Sequence, residues 1–400
     1  MSALLAHFQA LDQLLYHTRQ YWQCVAFSCE QYPWPHLAPV LEQLDDEQVA
    51  ALDENPDKLV GFFKTYIPDL QRLEELSQLP KAFVSSNHEL PFWLTNGIKG
   101  RKLTQLQAFV EHLTPQQENE NVLEWCAGKG HLGRLLAHQY GVTVHSVEIQ
   151  PHLCAQGEHL AQQFSLPITF NEANVLQDDC VPWIAKCDHA VALHACGGLH
   201  QSLMRQASAI GTQRLSISPC CYHLFLEHEH YQPMSDAAQQ SALRMQSSDL
   251  KLALQQTVTA GQRVQRLRQT EVQWRLGFDQ LVRDAFSRDY YTPVPSVGKL
   301  VFGGEFSEFC QWAARKKGLV LPEHIDYEDY LTRGIQRKHM TDRIELVRHV
   351  FRRAIEVWLV LDRALYLQQA NYQVDIFEFC EPSLTPRNIL IDAKLNRELQ

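Results

Sequence analysis

The residues best suited to chemistry stand in one stretch of ten, Glu124-Trp125-Cys126-Ala127-Gly128-Lys129-Gly130-His131-Leu132-Gly133. An apolar strand pattern ends there and a helical one, LGRLLAHQY, begins. Glycines at such a junction permit a tight turn and let a ligand lie against the backbone, while the following helix N-terminus offers unpaired N–H groups. Twenty residues after Gly128, at the end of the next apolar run, comes Glu148. An acid placed there can accept both hydroxyls of a ribose, so the two features together read as a nucleoside-cofactor site.

Gly128, Gly130 and Gly133 also satisfy GxGxxG, the pattern of dinucleotide sites. Glu124 separates the two possibilities. A carboxylate at a strand tip near a sheet core needs a cationic or hydrogen-bond-donating partner. The amino and sulfonium groups of S-adenosylmethionine supply one, whereas a pyrophosphate is repelled. The cofactor expected is therefore S-adenosyl-L-methionine, held by Glu124, Cys126, Ala127, Gly128, Gly130 and Glu148.

A second group of reactive types follows: His194, Cys196 and Gly197, then Pro219, Cys220, Cys221 and His223. Three readings of it stand side by side. A cysteine could add to C6 of a pyrimidine and activate C5, with His223 or His194 as the base. Cys196, Cys220, Cys221 and His223 could bind zinc, although adjacent cysteines lack the usual C-x2–4-C spacing, and no metal is expected. Small soft residues could simply pack around the cofactor. His194, Cys196, Cys220, Cys221 and His223 are the catalytic candidates under the first reading. His194 has a purely structural alternative as a hydrogen-bonded residue at a strand end. Lys99, Lys102, Arg387 and Asn388 are the candidates for contact with substrate, against solvated or turn-capping roles.

These groups need elements to position them. Five short apolar runs, NVLEWCA, VTVHSVEI, ITFNEANVL, HAVALHACG and RLSISPCC, alternate with helical segments, as in a parallel sheet with crossover helices. In such a sheet the loops after the C-terminal strand ends form the ligand crevice, where both groups fall. VDIFEFC and NILIDA at the end of the chain read as an antiparallel pair added to that sheet. TQLQAFVEHL reads as a short helix entering the region, and YYTPVPSVGKLVFGG as a loop. Four segments are expected: a helical N-terminal domain over 1–95, a first part of the core over 96–225, a helical insertion over 226–371, and the last two strands over 372–400.

Composition sets outer bounds. Four hundred residues exceed the about 250–300 at which single cores stop growing. A hydrophobic fraction of 45% with 20% charged residues is that of a globular protein. No run approaches the ~18 apolar residues of a membrane span, and the start lacks the marks of a secretory signal. Eleven cysteines without paired spacing suit a reducing compartment, so a cytoplasmic location is expected. The net charge of −10 argues against bulk electrostatic coating of nucleic acid, though Arg315, Lys316, Lys317, Arg333, Arg337, Lys338, Arg343, Arg348, Arg352 and Arg353 could form a local basic face. Acids interspersed among them favour a solvated helix surface instead.

EWCAGKGHLG (124–133), LHACGG (193–198), SPCCYH (218–223), TPRN (385–388) and the upstream KGRKLTQLQAF (99–109) together resemble the class I S-adenosylmethionine-dependent methyltransferases. The closer resemblance is to a methyltransferase-like group, including RNA-modifying enzymes, that shares His-x-Cys-Gly, Cys-Cys and Pro-Arg-Asn. It covers roughly 98–225 and 370–396, and neither the N-terminal helices nor the insertion. Cys126 departs from it, since many class I enzymes have glycine there. The resemblance implies a Rossmann-like α/β sheet with a C-terminal antiparallel pair. It also implies that Asn174 and Val175 flank the adenine and that His194 to Gly197 line the methyl-donor side. With the basic clusters and helical additions, it implies an RNA substrate, tRNA or rRNA. A protein or small-molecule methyltransferase and a non-catalytic cofactor-binding assembly factor are the alternatives.

Overall fold

The computed structural model describes residues 2–84, 89–177, 180–228, 230–255 and 262–396. Seven strands form one sheet: β1 (Asn121–Trp125), β2 (Thr143–Glu148), β3 (Ile168–Glu172), β4 (His189–Cys196), β5 (Arg214–Cys220), β6 (Tyr372–Glu378) and β7 (Ile389–Leu395). Their order is β3-β2-β1-β4-β5-β7-β6. Strands β1 to β5 pair in parallel, and β7 runs antiparallel between β5 and β6. Each run read as a strand in the sequence is one. The order reverses between β1 and β4, which opens a crevice at their C-terminal ends, where ligands bind in such sheets.

Five helices build the layers on this sheet: α1 (Gly100–Val110), α2 (His131–Tyr140), α3 (Pro151–Gln163), α4 (Gly198–Ile210) and α5 (Arg352–Gln369). On one face, Leu106 and Phe109 of α1 and Leu132, Leu135 and Leu136 of α2 bury against Val122, Val144, Ile168, Val191 and Leu390. At about 1.5–3 kcal/mol per fully buried large aliphatic or aromatic side chain, this layer is a main source of the sheet's stability. Helix α5 packs on β6 and β7 and on α4. It is buried on nearly every side, Arg352, Glu356, Asp362 and Arg363 included. A helix buried all round belongs to a core and not to a surface appendage.

The chain divides into two compact units, Met1–His17 with Arg72–Val258 and Arg352–Gln400, and Thr18–Gln71 with Thr259–Phe351. The first holds the sheet. The second is helical, and in it Gln262–Phe286 and Tyr327–His349 cross at Gly277 and Gly334, where a Cβ on Gly334 would lie 2.4 Å from the carbonyl oxygen of Gln273. Trp274, Phe278, Phe302, Phe306 and Phe309 form its core. The units differ from the segments expected in the sequence: part of the 1–95 segment packs with 259–351, while 236–252 and α5 stay with the sheet. The physical reason is a set of long-range polar ties. Arg343 donates to the Leu41 and Leu44 carbonyls, Arg348 to that of Trp22, and Arg337 to that of Phe27. Among the described residues no helix is long and apolar enough to cross a membrane. The segment 290–298 is a loop, ending in a short 3-10 turn over Lys299–Gly303.

Candidate active site

The loop after β1 turns through three left-handed residues, Cys126 (φ 55°), Gly128 (φ 59°) and Gly130 (φ 68°). Cys126 adopts the conformation that glycine commonly supplies, at a cost of roughly 1–2 kcal/mol for a side-chain-bearing residue. Each glycine has its own reason. A Cβ on Gly128 would meet no atom within 4 Å, so the space above it is open to a ligand. A Cβ on Gly130 would sit 2.4 Å from the Phe170 ring, and one on Gly133 2.6 Å from Glu124 Oε2. Those two glycines serve packing.

Glu148 joins the ends of β1 and β2. Its Oε2 accepts the Gly128 N–H at 3.0 Å and its Oε1 that of Gln150, also at 3.0 Å. A carboxylate has about four acceptor positions. Two remain for the hydroxyls of a ribose. Glu124 is buried and takes its donors from the protein: Ser146 Oγ at 2.7 Å and the backbone N–H groups of Leu132 and Gly133 at the start of α2. Burial raises its pKa to about 7, against the pull of those bonds and of Arg134. The partner that the sequence reading sought in the cofactor is thus largely supplied from within, although Glu124 still lines the crevice.

The crevice holds about 1090 Å³, enough for a nucleoside cofactor. Residues Glu124 to Lys129, His131, Arg134 and His194 line one part, Lys102 of α1 and His159 of α3 another, and Trp93 and Phe164, stacked at 4.3 Å, a third. Cations outnumber acids on this wall. Burial together with Arg134, Lys102 and Lys129 holds His131 down to about 4, so it is uncharged at neutral pH.

Strand β4 gains one residue against β5 between Leu193 and Cys196, a bulge that turns His194 (φ 70°) out to the crevice. Its Nε2–H donates to Gln105 Oε1 at 3.1 Å, leaving Nδ1 as the acceptor. Shielding from bulk water, with Lys102 and Arg387 nearby, brings its pKa to about 4. Next to it Cys196 Sγ and Cys220 Sγ lie 3.6 Å apart, and all three sulfurs of Cys196, Cys220 and Cys221 fall within 4.8 Å of one another. Hydrogen bonding from Cys220 lowers the Cys221 thiol to about 6, helped by Cys196 and Arg387. His223 stands outside this sulfur cluster, with its pKa lowered by burial and by Lys251, so it is not positioned as the cysteines' base.

The other expected residues divide. Lys102 lines the crevice, while Lys99 is exposed at the N-cap of α1 and does not line it. Arg387 faces Cys221 and His194 electrostatically and donates to the Leu254 carbonyl at 2.6 Å. Asn388 is buried, and its Nδ2 donates to the Cys380 carbonyl at 2.7 Å, so it pins the β6–β7 loop and is not open to substrate. Asn174 closes a turn by accepting the Leu176 N–H, and Val175 is buried with its carbonyl held by Ser202 and Gln206. Neither lines the crevice, nor does Glu148, which sits behind Gly128; the Asn174 turn is held onto α4.

Sequence reasoning missed the support behind these loops. Arg363 of α5 donates from Nε to His200 Nε2 at 2.7 Å, and His200 Nδ1–H donates to the Ala195 carbonyl at 2.8 Å. The same guanidinium lies 4.9 Å from the Tyr222 ring centroid. Asp362 accepts the backbone N–H groups of Met234 and Ser235 and the hydroxyls of Ser235 and Tyr231. Gln105, the partner of His194, was also missed. Nothing in the spacing of these residues distinguishes them from surface polar positions on a helix.

Residues 99–228 match a family model described as a methyltransferase domain. No curated protein matches the chain. Among solved structures it is similar to a tRNA (uracil-54, C5)-methyltransferase from Pyrococcus abyssi (17% identity, 31% of this chain and 31% of that one, TM-score 0.26). It is also similar to an RNA methyltransferase from Salinibacter ruber (14%, 32% and 82%, 0.25) and a SAM-dependent methyltransferase from Geobacter sulfurreducens (19%, 32% and 55%, 0.23). The chain spans about half the length of the first solved structures it matches, 47% and 58%. The segment that matches a methyltransferase domain carries the strands of a Rossmann-like α/β sheet. Its cofactor is S-adenosylmethionine, and the free acceptor positions of Glu148 and the open space over Gly128 fit that molecule.

Proposed function

We propose that the whole chain is an S-adenosylmethionine-dependent methyltransferase whose acceptor is RNA, tRNA or rRNA. The observation that carries this reading is the crevice wall. On the crevice wall Lys102 and Lys129 stand without a facing carboxylate, since the one acid that lines it, Glu124, is buried against Arg134, an arrangement suited to an anionic substrate. Among the described residues neither Lys102 nor Lys129 has an ion-pair partner. The sequence resemblance supports the same reading.

When bound, the cofactor supplies an electrophilic methyl group. Glu148 and the 126–130 loop hold its nucleoside end. His194, uncharged at neutral pH with Nδ1 free to accept, is placed to take a proton from the acceptor atom. Lys102 and Lys129 hold phosphate near the mouth. No step of this sequence needs a thiolate.

The test is transfer of radiolabel from tritiated S-adenosylmethionine to extract of cells lacking the protein, separated into RNA, protein and small molecules. Counts are expected in RNA, and are expected to vanish with Gly128→Leu, whose side chain enters the open space from a strained φ. Counts in protein or small molecules would discard the RNA acceptor. Cofactor binding without counts in any fraction would point to a non-catalytic assembly factor.

A further inference from the structure

Cys196, Cys220 and Cys221 take no part in the step above, yet the fold brings their sulfurs together by specific means. Cys196 and Cys220 are cross-strand partners at the ends of β4 and β5. Successive side chains of an extended strand point to opposite faces, so Cys221 should face away from Cys220. Instead its φ of 44° breaks the alternation and returns its sulfur to the same side. The two loops are locked together behind the sulfurs. The Gly197 N–H donates to the Cys220 carbonyl at 3.0 Å, and the Gly198 N–H to that of Leu224 at 2.9 Å. A Cβ on Gly197 or Gly198 would lie 1.9 Å from the Leu224 oxygen or 1.7 Å from that of Phe225. The left-handed residues at His194 and Cys221 cost roughly 1–3 kcal/mol each, which the surrounding backbone contacts must sustain.

We propose that these three cysteines are the protein ligands of a zinc ion, with the fourth coordination position left to water or a substrate atom. Tetrahedral zinc with bonds of about 2.3 Å to sulfur separates its thiolates by about 3.8 Å. Cys196 and Cys220 stand at 3.6 Å and the third sulfur lies within 4.8 Å of both, so small side-chain rotations complete the triangle. The adjacent-cysteine spacing that tells against a metal in the sequence is no obstacle here, because strand register and the turn at Cys221 supply the geometry that a loop between cysteines usually does. Each thiol that binds releases its proton to solvent. Cys220 is buried, whereas Cys196 and Cys221 are half-buried, so the open position lies on their side. Cys196 follows two residues after His194 of the crevice wall, which sets the ion beside the cofactor site. The site stands whether or not the domain transfers a methyl group to RNA.

Zinc content of the full chain, purified under reducing conditions and passed over a chelating resin, tests this. About one zinc per chain is expected. Cys220→Ser and Cys221→Ser should each weaken zinc binding by more than the roughly 10–100-fold that loss of an outer-sphere partner costs. The double variant Cys24→Ser/Cys29→Ser, which removes the cysteine pair of the helical unit, should leave it unchanged. Cobalt(II) added to the metal-free wild type should give the thiolate-to-metal absorption of a tetrahedral site, a readout that needs no variant. A wild type that takes up neither zinc nor cobalt overturns the proposal. So does zinc retained in both serine variants, or a chain lighter by two hydrogens through a Cys196–Cys220 disulfide in reductant.

Discussion

At the scale of single residues, two histidines of the crevice wall are held uncharged. His131 and His194 both sit near pKa 4, against an ordinary value of 6.5, because shielding from water and neighbouring cations disfavour the imidazolium. A histidine whose folded pKa is depressed binds fewer protons in the folded than in the unfolded state between those two values. Its contribution to stability is therefore complete above about 6.5 and is lost as pH falls toward 4. His194→Gln retains a side chain able to bond Gln105 and removes the titration. The thermal midpoint of the wild type should fall through this window more steeply than that of the variant, and parallel curves would show that His194 titrates normally. What the sequence disclosed at this scale is uneven. The glycines, Glu148 and His194 were legible because their types are tied to backbone demands and ligand chemistry. The surroundings of Asn174, Val175 and Asn388 were not legible: Asn174 closes its own turn, the Val175 carbonyl is held by Ser202 and Gln206, and Asn388 bonds the Cys380 carbonyl.

At the scale of elements, the loops after β4 and β5 depend on a helix that the sequence assigns to an insertion. The strands were readable from short apolar runs, since a parallel sheet buried on both faces leaves that pattern. Helix α5 was not, because Asp362 and Arg363 look like any solvated pair until the loops at 195–200 and 222–235 are seen to end on them. Arg363 is fully buried, and truncating it leaves His200 Nε2 without its donor and removes the cation next to Tyr222. Truncating so large a buried side chain leaves a cavity and unpaired acceptors, at a cost of about 3–5 kcal/mol. Arg363→Ala should lower stability by that order in denaturant unfolding and raise amide exchange in 222–235 before the rest of the sheet. Exchange unchanged in that loop would mean that α5 supports the core alone.

At the scale of the whole molecule, charge decides how RNA could be held. The chain carries a net −10, and the arginine-rich stretch of the helical unit is largely paired: Arg333 with Asp284, Arg337 with Asp279, Lys338 with Asp342, Arg343 with Asp46 and Arg348 with Glu345. Arg315, Lys316 and Lys317 close the last turn of their helix, where cations complement its dipole. This disposition leaves the crevice lysines, Lys102 and Lys129, as the cations nearest the chemistry. For single-stranded nucleic acid, each phosphate neutralised adds about −0.7 to the slope of log affinity against log salt. Two contacts give a slope of about −1.4, far shallower than that of a protein that coats nucleic acid. Lys102→Gln/Lys129→Gln should bring the slope measured with unmodified tRNA close to zero while leaving binding of S-adenosylhomocysteine within a few-fold. A slope steeper than about −4 that survives this double change would move the RNA-gripping surface away from the crevice. The exposed Arg315, Lys316 and Lys317 of the helical unit would then be the next cations to replace.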